Sequence, residues 1–320
     1  MDIKELGGEF KLIELITAQF RNHHDVPVTI GDDCAVSRNS DGSSTVWTTD
    51  VLVEGDHFNC DWSTPQQIGR KTLEVNVSDV AAMGARPQFL LLNLVLPRST
   101  KIEWVHGVYD GIREGCDEYG ITLLGGDTTR GAAKMVGAMV TGTCKRPVLR
   151  SGAQVGDVIA VTGDVGGSAA GYLMFRGGNR PEGHVLGRHL EPRCRLDVAH
   201  LVARYATALI DVSDGVASEV RHIAARSGVG AVVFEGLLPI HPETVVAATT
   251  AGTTGAQCAL SGGEDYELLF ACNPASVAPL REAGVDFARI GEILTSAGSL
   301  LLSTESGKEI PLPFGYDHFG

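Results

Sequence analysis

The chain contains 320 residues, of which 43% are hydrophobic and 20% are charged, and this supply of apolar residues suffices for two domains with buried cores. Its formal net charge of −13 disfavours nucleic acid or an anionic membrane as a partner, because either would require a basic surface. The apolar runs fall short of the roughly 18 residues of a membrane helix, and the opening segment MDIKELGGEF lacks the apolar core of a secretion signal. We therefore expect a cytoplasmic enzyme.

The seven cysteines are scattered along the chain without a C-x-x-C pair. An odd number in this arrangement argues against a disulfide framework and against a structural zinc site. We expect them to be ordinary reduced cysteines.

Strands and helices alternate irregularly along the chain, which indicates an α+β fold. The strands are predicted from short β-branched runs that end at Gly or Asp. They cover residues 27–30, 45–49, 89–96, 122–124, 135–143, 158–162, 231–234, 267–271 and 287–293.

Helices are predicted from apolar spacing and from capping residues. Apolar residues recur at every fourth position from Trp104 to Cys116, which places them on one helical face. Thr64 followed by Pro65 is typical of an N-cap and the first helical position. Further helices are predicted to start near Gly167, Leu190 and Gly215.

A linker is predicted at residues 146–157, where RPVLRSGAQVGD is rich in turn-forming residues. The segments before and after it each have their own strands and helices. We place the domain boundary near residue 148, which gives domains at 1–148 and 149–320.

Five segments share one design, in which an apolar run leads into Asp with small or hydroxyl neighbours. They are TIGDDCA at 29–35, VWTTDVLVEGDHF at 46–58, NVSDVAAMGA at 76–85, LLGGDTTRG at 123–131 and LIDVSDG at 209–215. A single Asp at a strand end is usually a turn or a helix cap, but five segments of one design indicate a shared site. The seven carboxylates expected at strand ends or helix starts are Asp32, Asp33, Asp50, Asp79, Asp127, Asp211 and Asp214.

Carboxylates that converge in one cleft would repel one another unless hard cations lie among them. Mg²⁺ fits because it binds carboxylate, water and phosphate oxygens together. The hydroxyls of Thr48, Thr49 and Ser78 could complete such metal shells, although isolated hydroxyls cap the backbone about as often. The sequence therefore predicts an acidic protein that binds a polyphosphate through magnesium.

Glycine pairs at 125–126, 166–167 and 262–263 would let backbone N–H groups approach an anion closely. Each pair alone is more often a tight turn. The G-x-x-x-x-G-K-[ST] pattern is absent from the sequence, which excludes the common P-loop.

Three further sites have both a functional and an ordinary interpretation. In SGGEDYELLF at 261–270, one of Glu264, Asp265 and Glu267 could face a pocket, or these residues could be buried partners and caps. His57 could bind a phosphate or a pyrimidine, although a lone His is more often structural. Arg150 could bind a nucleotide phosphate, or it could be a solvated surface charge.

These segments, in this order and spacing, resemble the thiamine-monophosphate kinase family, a branch of the superfamily that includes aminoimidazole ribonucleotide synthetase. The matching runs extend from GEFKLI at 8–13 to GYDHF at 315–319 and therefore cover nearly the whole chain. EGDHF, SGGEDYEL and the GYDHF motif together distinguish this family from its sister enzymes.

The resemblance implies a two-domain fold, a homodimer and the substrates ATP and thiamine monophosphate. The amino-terminal domain would bind ATP and Mg²⁺ and pair its mixed sheet across the dimer, and the carboxy-terminal α/β sandwich domain would complete the active site. Implied magnesium ligands are Asp33, Thr48, Thr49, Asp50, Asp79, Asp127, Asp211 and Asp214, with Asp50, Asp79 and Asp127 as catalytic residues. Implied nucleotide contacts are Tyr109, Gly126, Asp127, Arg150 and Ser213, and implied contacts to thiamine monophosphate are His57, Glu264 and Tyr316.

One departure from the family pattern is visible before GYDHF. Some relatives carry a tryptophan there, whereas this chain has Leu312, Pro313 and Phe314. Whether Phe314 or Tyr316 stacks on the substrate stays open at this stage.

A phosphate ester as acceptor needs no enzyme nucleophile and no strong general base, so we expect direct in-line phosphoryl transfer assisted by several Mg²⁺ ions. Two alternatives remain: another ATP-using synthetase of the same superfamily, or a non-catalytic sensor of thiamine phosphates or nucleotides. Selenophosphate synthesis is disfavoured because a reactive Cys and a Lys are not found at matching positions near the amino terminus. The number of acidic residues speaks against a sensor.

Overall fold

A computed structural model describes residues 8–20 and 24–316. The strands are β1 (Ala35–Arg38), β2 (Ser44–Val53), β3 (Arg86–Leu96), β4 (Thr122–Arg130), β5 (Met135–Cys144), β6 (Val158–Thr162), β7 (Ala206–Asp211), β8 (Gly230–Phe234), β9 (Leu268–Cys272), β10 (Phe287–Leu294), β11 (Leu300–Ser303) and β12 (Glu309–Pro311). The α-helices are α1 (Glu9–Thr17), α2 (Pro65–Ala82), α3 (Ile102–Tyr119), α4 (Gly167–Arg176), α5 (Gly183–Leu190), α6 (Leu196–Tyr205), α7 (Val216–Ser227), α8 (Pro242–Thr250), α9 (Gly255–Ser261) and α10 (Val277–Glu282).

The first half of the chain forms a five-stranded sheet in the order β1-β2-β5-β3-β4. All neighbouring strands are antiparallel except β3 and β4, which are parallel. Apolar residues alternate along the strands, so one face of the sheet is buried against α2, which in turn packs against α3. The core on this face includes Val46, Leu90, Leu92, Val136 and Val140.

The second half forms a seven-stranded mixed sheet in the order β12-β11-β8-β10-β6-β9-β7. Every residue of β6 and β9 is buried, because helices cover both faces of the sheet. One face packs against α7, and the other packs against α6, α10 and the end of α2. The two sheets therefore share α2 as a common packing element.

Helix α2 is buried on nearly all sides, with 14 of its 18 residues inaccessible. Its start is fixed by a capping box, in which Thr64 accepts from the Gln67 N–H while Gln67 accepts from the Thr64 N–H, with Pro65 at the first position. This start was predicted from the sequence and is confirmed. The buried Glu74 carboxylate pairs with Arg70 and accepts from the Cys194 N–H, which ties the first half of the chain to the second.

Some sequence predictions of local structure are wrong. Residues 27–30 form bends, with only an isolated bridge from Val28 to Val36, because the positive φ of Gly31 (103°) turns the chain before β1. No helix starts at Leu190; α5 ends there and α6 begins at Leu196. Strand β4 continues well past residue 124, and strands β1, β7, β11 and β12 were not among the predicted strand ranges. Within the described residues, no helix combines the length and the apolar character needed to cross a bilayer.

The crossing of α2 and α3 depends on glycines that allow two helix backbones to approach. A Cβ added at Gly111 would lie 2.0 Å from the Gln66 carbonyl oxygen, and one added at Gly69 would lie 2.0 Å from the Val108 carbonyl oxygen. Such distances are far inside van der Waals contact, so the helices would have to separate.

We expect Gly111→Ala to lower the free energy of unfolding by about 2 kcal/mol or more, because an added methyl group overpacks a rigid contact. Gly187→Ala in α5 is the matched control, since no atom lies within 4 Å of its added Cβ and alanine favours helix. Urea unfolding of both variants measures the difference. Equal stability of the two variants would show that the helix crossing can relax.

Candidate active site

A cavity of about 720 Å³ lies between the two halves of the chain. Its walls come from β2, α2, the linker, the end of β7, α4 and the loop after α9. Twelve residues singled out from the sequence border it: Asp33, Thr48, Thr49, Asp50, His57, Asp79, Arg150, Asp211, Ser213, Asp214, Glu264 and Tyr316.

Strand β2 borders the cavity along an open edge. Strand β1 pairs with it only from Ser44 to Trp47, so the stretch 48–53 has no strand neighbour on that side among the described residues. This stretch carries Thr48, Thr49 and Asp50 to the cavity wall. Thr49 Oγ1 donates to the Ala138 carbonyl (2.9 Å), and the Asp50 N–H donates to Asn76 Oδ1 on α2 (3.1 Å).

An acidic cluster occupies one end of the cavity. Carboxylate oxygens of Asp33, Asp79 and Asp211 all lie within 4.8 Å of one another. Asp211 ends strand β7, as predicted, whereas Asp79 lies in the last turn of α2 and not at a strand end. Thr48 donates to Asp79, and Ser78 donates to Asp211 over 2.6 Å.

Burial and mutual repulsion make these carboxylates hard to ionise. Burial, followed by the charge of Asp33, raises the pKa of Asp211 to about 8, and burial with the neighbouring Asp33 raises the pKa of Asp32 to about 6. Burial also raises the pKa of Asp79 well above its usual range, with Asp50, Asp211 and Asp33 adding to the effect. The oxygen Asp33 Oδ2 is buried and has no hydrogen-bond partner within residues 8–20 and 24–316. A hard divalent cation fits this donor set, because it would satisfy that oxygen and offset the repulsion.

Arg150 lies in the cavity and not on the open surface. Its Nη2 lies 2.6 Å from Asp33 Oδ1, and its backbone N–H donates to Asp32. The guanidinium therefore offsets part of the charge of the acidic cluster. Of the two interpretations left open by the sequence, the solvated surface charge is wrong.

Two of the three glycine pairs have structural explanations. The Gly166 and Ser168 N–H groups at the start of α4 donate to the carboxylate of Asp265 (2.6 and 3.3 Å), so an internal anion already occupies that helix end. Gly126 lies within β4 with φ of 157°, and a Cβ there would lie 1.6 Å from the Leu92 carbonyl oxygen. Only the pair Gly262 and Gly263 borders the cavity.

The three acidic residues of SGGEDYELLF divide into two groups. Glu264 faces the cavity. Asp265 and Glu267 are buried, the first as the anion at the start of α4 and the second in ion pairs with Arg188 (3.1 Å) and Arg195 (2.9 Å). Alternation along the segment predicted one carboxylate facing a pocket without choosing among the three, and the residue that the family resemblance implied, Glu264, is the one that borders the cavity.

Aromatic rings also line the cavity. Tyr172 on α4 and Tyr316 both border it. Phe314 is 79% exposed and lies under the guanidinium of Arg221, 4.4 Å from the ring centroid. The ring positioned for a ligand is therefore Tyr316; residues 317–319 of the GYDHF motif lie outside the described residues.

Sequence reasoning missed Lys71 and Tyr172. Lys71 is a buried cation that pairs with Glu264, and its four-residue spacing to Val75 and Asp79 was the signal available. Tyr172 lies four residues after Ser168 on α4, and both border the cavity.

Three predicted site residues lie outside the cavity: Tyr109, Gly126 and Asp127. Tyr109 lines a separate groove of about 450 Å³ between α3 and β4. Asp127 lies in the exposed strand β4, in the same cross-strand row as Asn93, Gly137 and Val51. Three strand spacings separate β4 from β2, roughly 14 Å. Within one chain, Asp127 and Asp50 therefore do not meet.

Comparison with known proteins identifies the family. The AIR synthase related protein models match residues 31–144 (N-terminal domain) and 154–300 (C-terminal domain). The curated thiamine-monophosphate kinase of Aquifex aeolicus is 34% identical to the chain, and the alignment covers 100% of both proteins. The curated thiamine-monophosphate kinase of Escherichia coli strain K12 is 36% identical, and the alignment covers 98% of both proteins. The chain belongs to the thiamine-monophosphate kinase family.

A solved structure supports membership of the thiamine-monophosphate kinase family. The protein described as "AaThiL complexed with AMPPCP and TMP" has a TM-score of 0.89 and 32% sequence identity to the chain, and the alignment covers 99% of both chains. The two-domain α+β fold expected from the sequence is confirmed. The domain boundary at residue 148 and the roles of individual site residues stay predictions.

We expect the metal-free protein to lose stability as the pH rises from about 4 to about 8. The folded chain keeps protons on Asp32 and Asp211, whose pKa values are raised to about 6 and about 8, while the unfolded chain releases them at lower pH, so unfolding is favoured as the pH increases. Asp211→Asn should therefore raise the melting temperature at pH 8 in chelator by about 3 °C and change it little at pH 4.

Thermal unfolding at both pH values, with EDTA or Mg²⁺, measures this effect. Mg²⁺ should stabilise the wild type more than Asp211→Asn, because the cation binds the folded cluster. Asp286→Asn, at an exposed position, serves as the control. An Asp211→Asn variant that melts lower than the wild type at pH 8 in EDTA would contradict the assignment of repulsion to this cluster.

Proposed function

We propose that the chain phosphorylates thiamine monophosphate with ATP and produces thiamine diphosphate. The observation that carries the proposal is the single cavity in which carboxylates from both halves of the chain converge beside Arg150. Full-length similarity to curated thiamine-monophosphate kinases supports this choice of acceptor. The related structure, described with AMPPCP and TMP, supports a nucleotide and a phosphorylated acceptor in one cavity.

The acidic end of the cavity is the proposed site for the two phosphate groups. Asp33, Asp79 and Asp211 would hold Mg²⁺, with oxygens of Asp50, Asp214, Thr48 and Thr49 at the same wall. When bound, Mg²⁺ supplies positive charge that offsets the negative charge of the transferred phosphoryl group. Arg150 is close enough to the cluster to turn from Asp33 toward a nucleotide phosphate, and Ser213 borders the same end.

The chemistry requires alignment more than acid–base catalysis. The acceptor is a phosphate dianion that attacks the γ-phosphorus of ATP directly, so the chain's residues act by holding two anions in line and excluding water. His57, Glu264 and Tyr316, which also border the cavity, would bind the heterocyclic end of thiamine monophosphate and fix its direction. Direct in-line transfer is the mechanism that we propose.

We further propose a homodimer in which the five-stranded sheets pair. The outer face of this sheet exposes large apolar residues: Trp47 (43%), Val51 (45%), Phe89 (43%) and Leu124 (59%). A contiguous apolar face next to an exposed edge strand favours association with a second copy. Such pairing would bring Tyr109, Gly126 and Asp127 of the partner subunit toward the cavity, consistent with the family resemblance and with their absence from it here.

We expect the protein to convert ATP and thiamine monophosphate into ADP and thiamine diphosphate, with Mg²⁺ required. Asp50→Asn and Asp79→Asn should each reduce kcat by about a hundredfold or more, because the transferred group loses electrostatic stabilisation. Chromatographic detection of thiamine diphosphate measures turnover, and Asp286→Asn serves as the exposed control. Thiamine and formylglycinamidine ribonucleotide replace the acceptor in parallel assays. Turnover of either one in preference to thiamine monophosphate would refute the proposed acceptor.

The dimeric site predicts that two inactive variants complement each other. If Asp127 acts in the partner's cavity, co-expressed Asp50→Asn and Asp127→Asn chains form heterodimers with one intact site, and random pairing restores about a quarter of wild-type activity. Asp50→Asn co-expressed with Asp79→Asn is the matched control, because both residues border the cavity of their own chain. Sedimentation measures the dimer independently. Failure of the first pair to exceed the control would contradict the action of Asp127 in the partner's cavity, and an Asp127→Asn variant that is fully active by itself would place Asp127 outside the active site.

A further inference from the structure

Lys71 lies deep between the two halves of the chain and holds two loops of the cavity wall. Its side chain is 4% exposed, and its Nζ lies 2.7 Å from Glu264 Oε1. The same Nζ donates to the His57 carbonyl oxygen over 3.0 Å. One buried ammonium group on α2 thus joins the loop after β2 to the loop before β9.

The residue that Lys71 contacts has an unusual backbone conformation. Glu264 has φ of 66° and Tyr266 has φ of 53°, and these are the only non-glycine residues with positive φ in the described part of the chain. The Glu264 N–H donates to the Ser213 carbonyl (2.8 Å) and the Tyr266 N–H donates to the Val212 carbonyl (2.8 Å). Backbone strain of this kind persists where surrounding contacts enforce it, and it is concentrated at ligand sites.

The two carboxylate oxygens of Glu264 have different surroundings. Oε1 pairs with Lys71, while Oε2 lies 3.7 Å from His189 Nδ1, and the side chain remains 25% exposed to the cavity. Burial opposes ionisation of this carboxylate, yet Lys71, with His189 and His57, holds the pKa of Glu264 below its usual range. Burial lowers the pKa of His189 to about 4, so near neutral pH the close contact of Glu264 with Lys71 at 2.7 Å is its ion pair.

Helix α2 sets the distance between Lys71 and the acidic cluster. Lys71, Val75 and Asp79 are spaced by four residues and lie along one side of the helix, and Val75 and Asp79 border the cavity. Eight residues of α-helix correspond to about 12 Å. The cavity therefore presents the proposed phosphate-binding end and, about two helical turns away along α2, an ionised carboxylate that can only accept hydrogen bonds.

We propose that Lys71 is a positioning residue that fixes Glu264 so that its second carboxylate oxygen accepts a hydrogen bond from an amino group on the acceptor's heterocycle. The inference rests on the proposed function, because it assigns one end of the acceptor to this carboxylate. Lys71 itself does not touch the substrate; it acts through Glu264 and, by its bond to the carbonyl, through the loop that carries His57. The ring of Tyr316, beside the same part of the cavity, provides the flat contact for the heterocycle.

The decisive experiment compares Lys71→Met with Lys134→Met. Lys134 also pairs with a glutamate, Glu54, over 2.7 Å at partly buried positions, but neither residue borders the cavity. Lys71→Met should raise the KM for thiamine monophosphate roughly tenfold or more while kcat and the KM for ATP change little, because ground-state binding of one substrate is weakened. Lys134→Met should leave all three constants near wild type even if its melting temperature falls.

A double-mutant cycle with Glu264→Gln separates positioning from a general structural role. If Lys71 acts through Glu264, the KM of Lys71→Met/Glu264→Gln for thiamine monophosphate should not exceed the higher of the two KM values of the single variants. This double variant also covers the case in which Lys71→Met does not fold, because it leaves no unpaired buried carboxylate. A KM that multiplies the two single effects, or a Lys71→Met variant with an unchanged KM for thiamine monophosphate, would overturn the proposal.

A titration independent of activity distinguishes failure of this inference from failure of the proposed function. In protein labelled with ¹³C-glutamate, the Glu264 carboxyl signal, identified by its loss in Glu264→Gln, should titrate at higher pH in Lys71→Met than in the wild type or Lys134→Met. The titratable groups facing Glu264 are Lys71, His189, His57 and the phenols of Tyr266 and Tyr316. If the wild type does not phosphorylate thiamine monophosphate but this shift appears, the proposed function fails and the Lys71–Glu264 coupling stands. If the shift is missing, the inference fails whatever the activity.

Discussion

Repulsion among buried carboxylates is the constraint on which the candidate site depends. Asp33, Asp79 and Asp211 come from a loop, a helix and a strand in both halves of the chain, yet their oxygens lie within 4.8 Å of one another. Arg150 pairs with one of them, and a single guanidinium leaves an excess of negative charge when all are ionised. The protein therefore carries a site whose repulsion additional cations would offset, and such cations would let an acidic chain bind the two phosphate groups that we propose.

Helix α2 fixes the positions of the polar side chains around the acidic cluster. Because it is buried on nearly all sides, each of its polar side chains must find a partner across a packed surface. Lys71 contacts Glu264, Asn76 contacts the Asp50 N–H, and Ser78 contacts Asp211. The helix is held in turn by glycine contacts with α3 and by packing against both sheets. Stability of the domain junction and placement of the site thus depend on the same element.

The sequence predicted the acidic segments and most strands, but not how every segment folds. Asp211 was expected at a strand end and lies there, because LIDVSDG is a buried apolar run followed by turn residues. NVSDVAAMGA has the same order of residue types, yet Asp79 is helical because the long preceding run continues with helical spacing. Lys71 was not recognised, since its partner Glu264 is far away in sequence and only the tertiary fold brings the two together.

Asp127 lies away from the cavity of its own chain, although its sequence segment resembles the segments that line this cavity. The similar acidic segments of the sequence predicted that Asp127 and Asp50 share one cleft. In the structure, Asp127 lies on β4, at the edge of the sheet, and two strands separate β4 from β2. The outer face between these strands is apolar and exposed, which is costly in water unless it is covered. A second copy covering that face would bury these side chains and bring another Asp127 toward the cavity. The same association would then bury the apolar outer face of the sheet and add Asp127 to the proposed Mg²⁺ ligands. The sequence motif of Asp127 is the same whether the residue acts in its own chain or in the partner, so the sequence could not decide between the two.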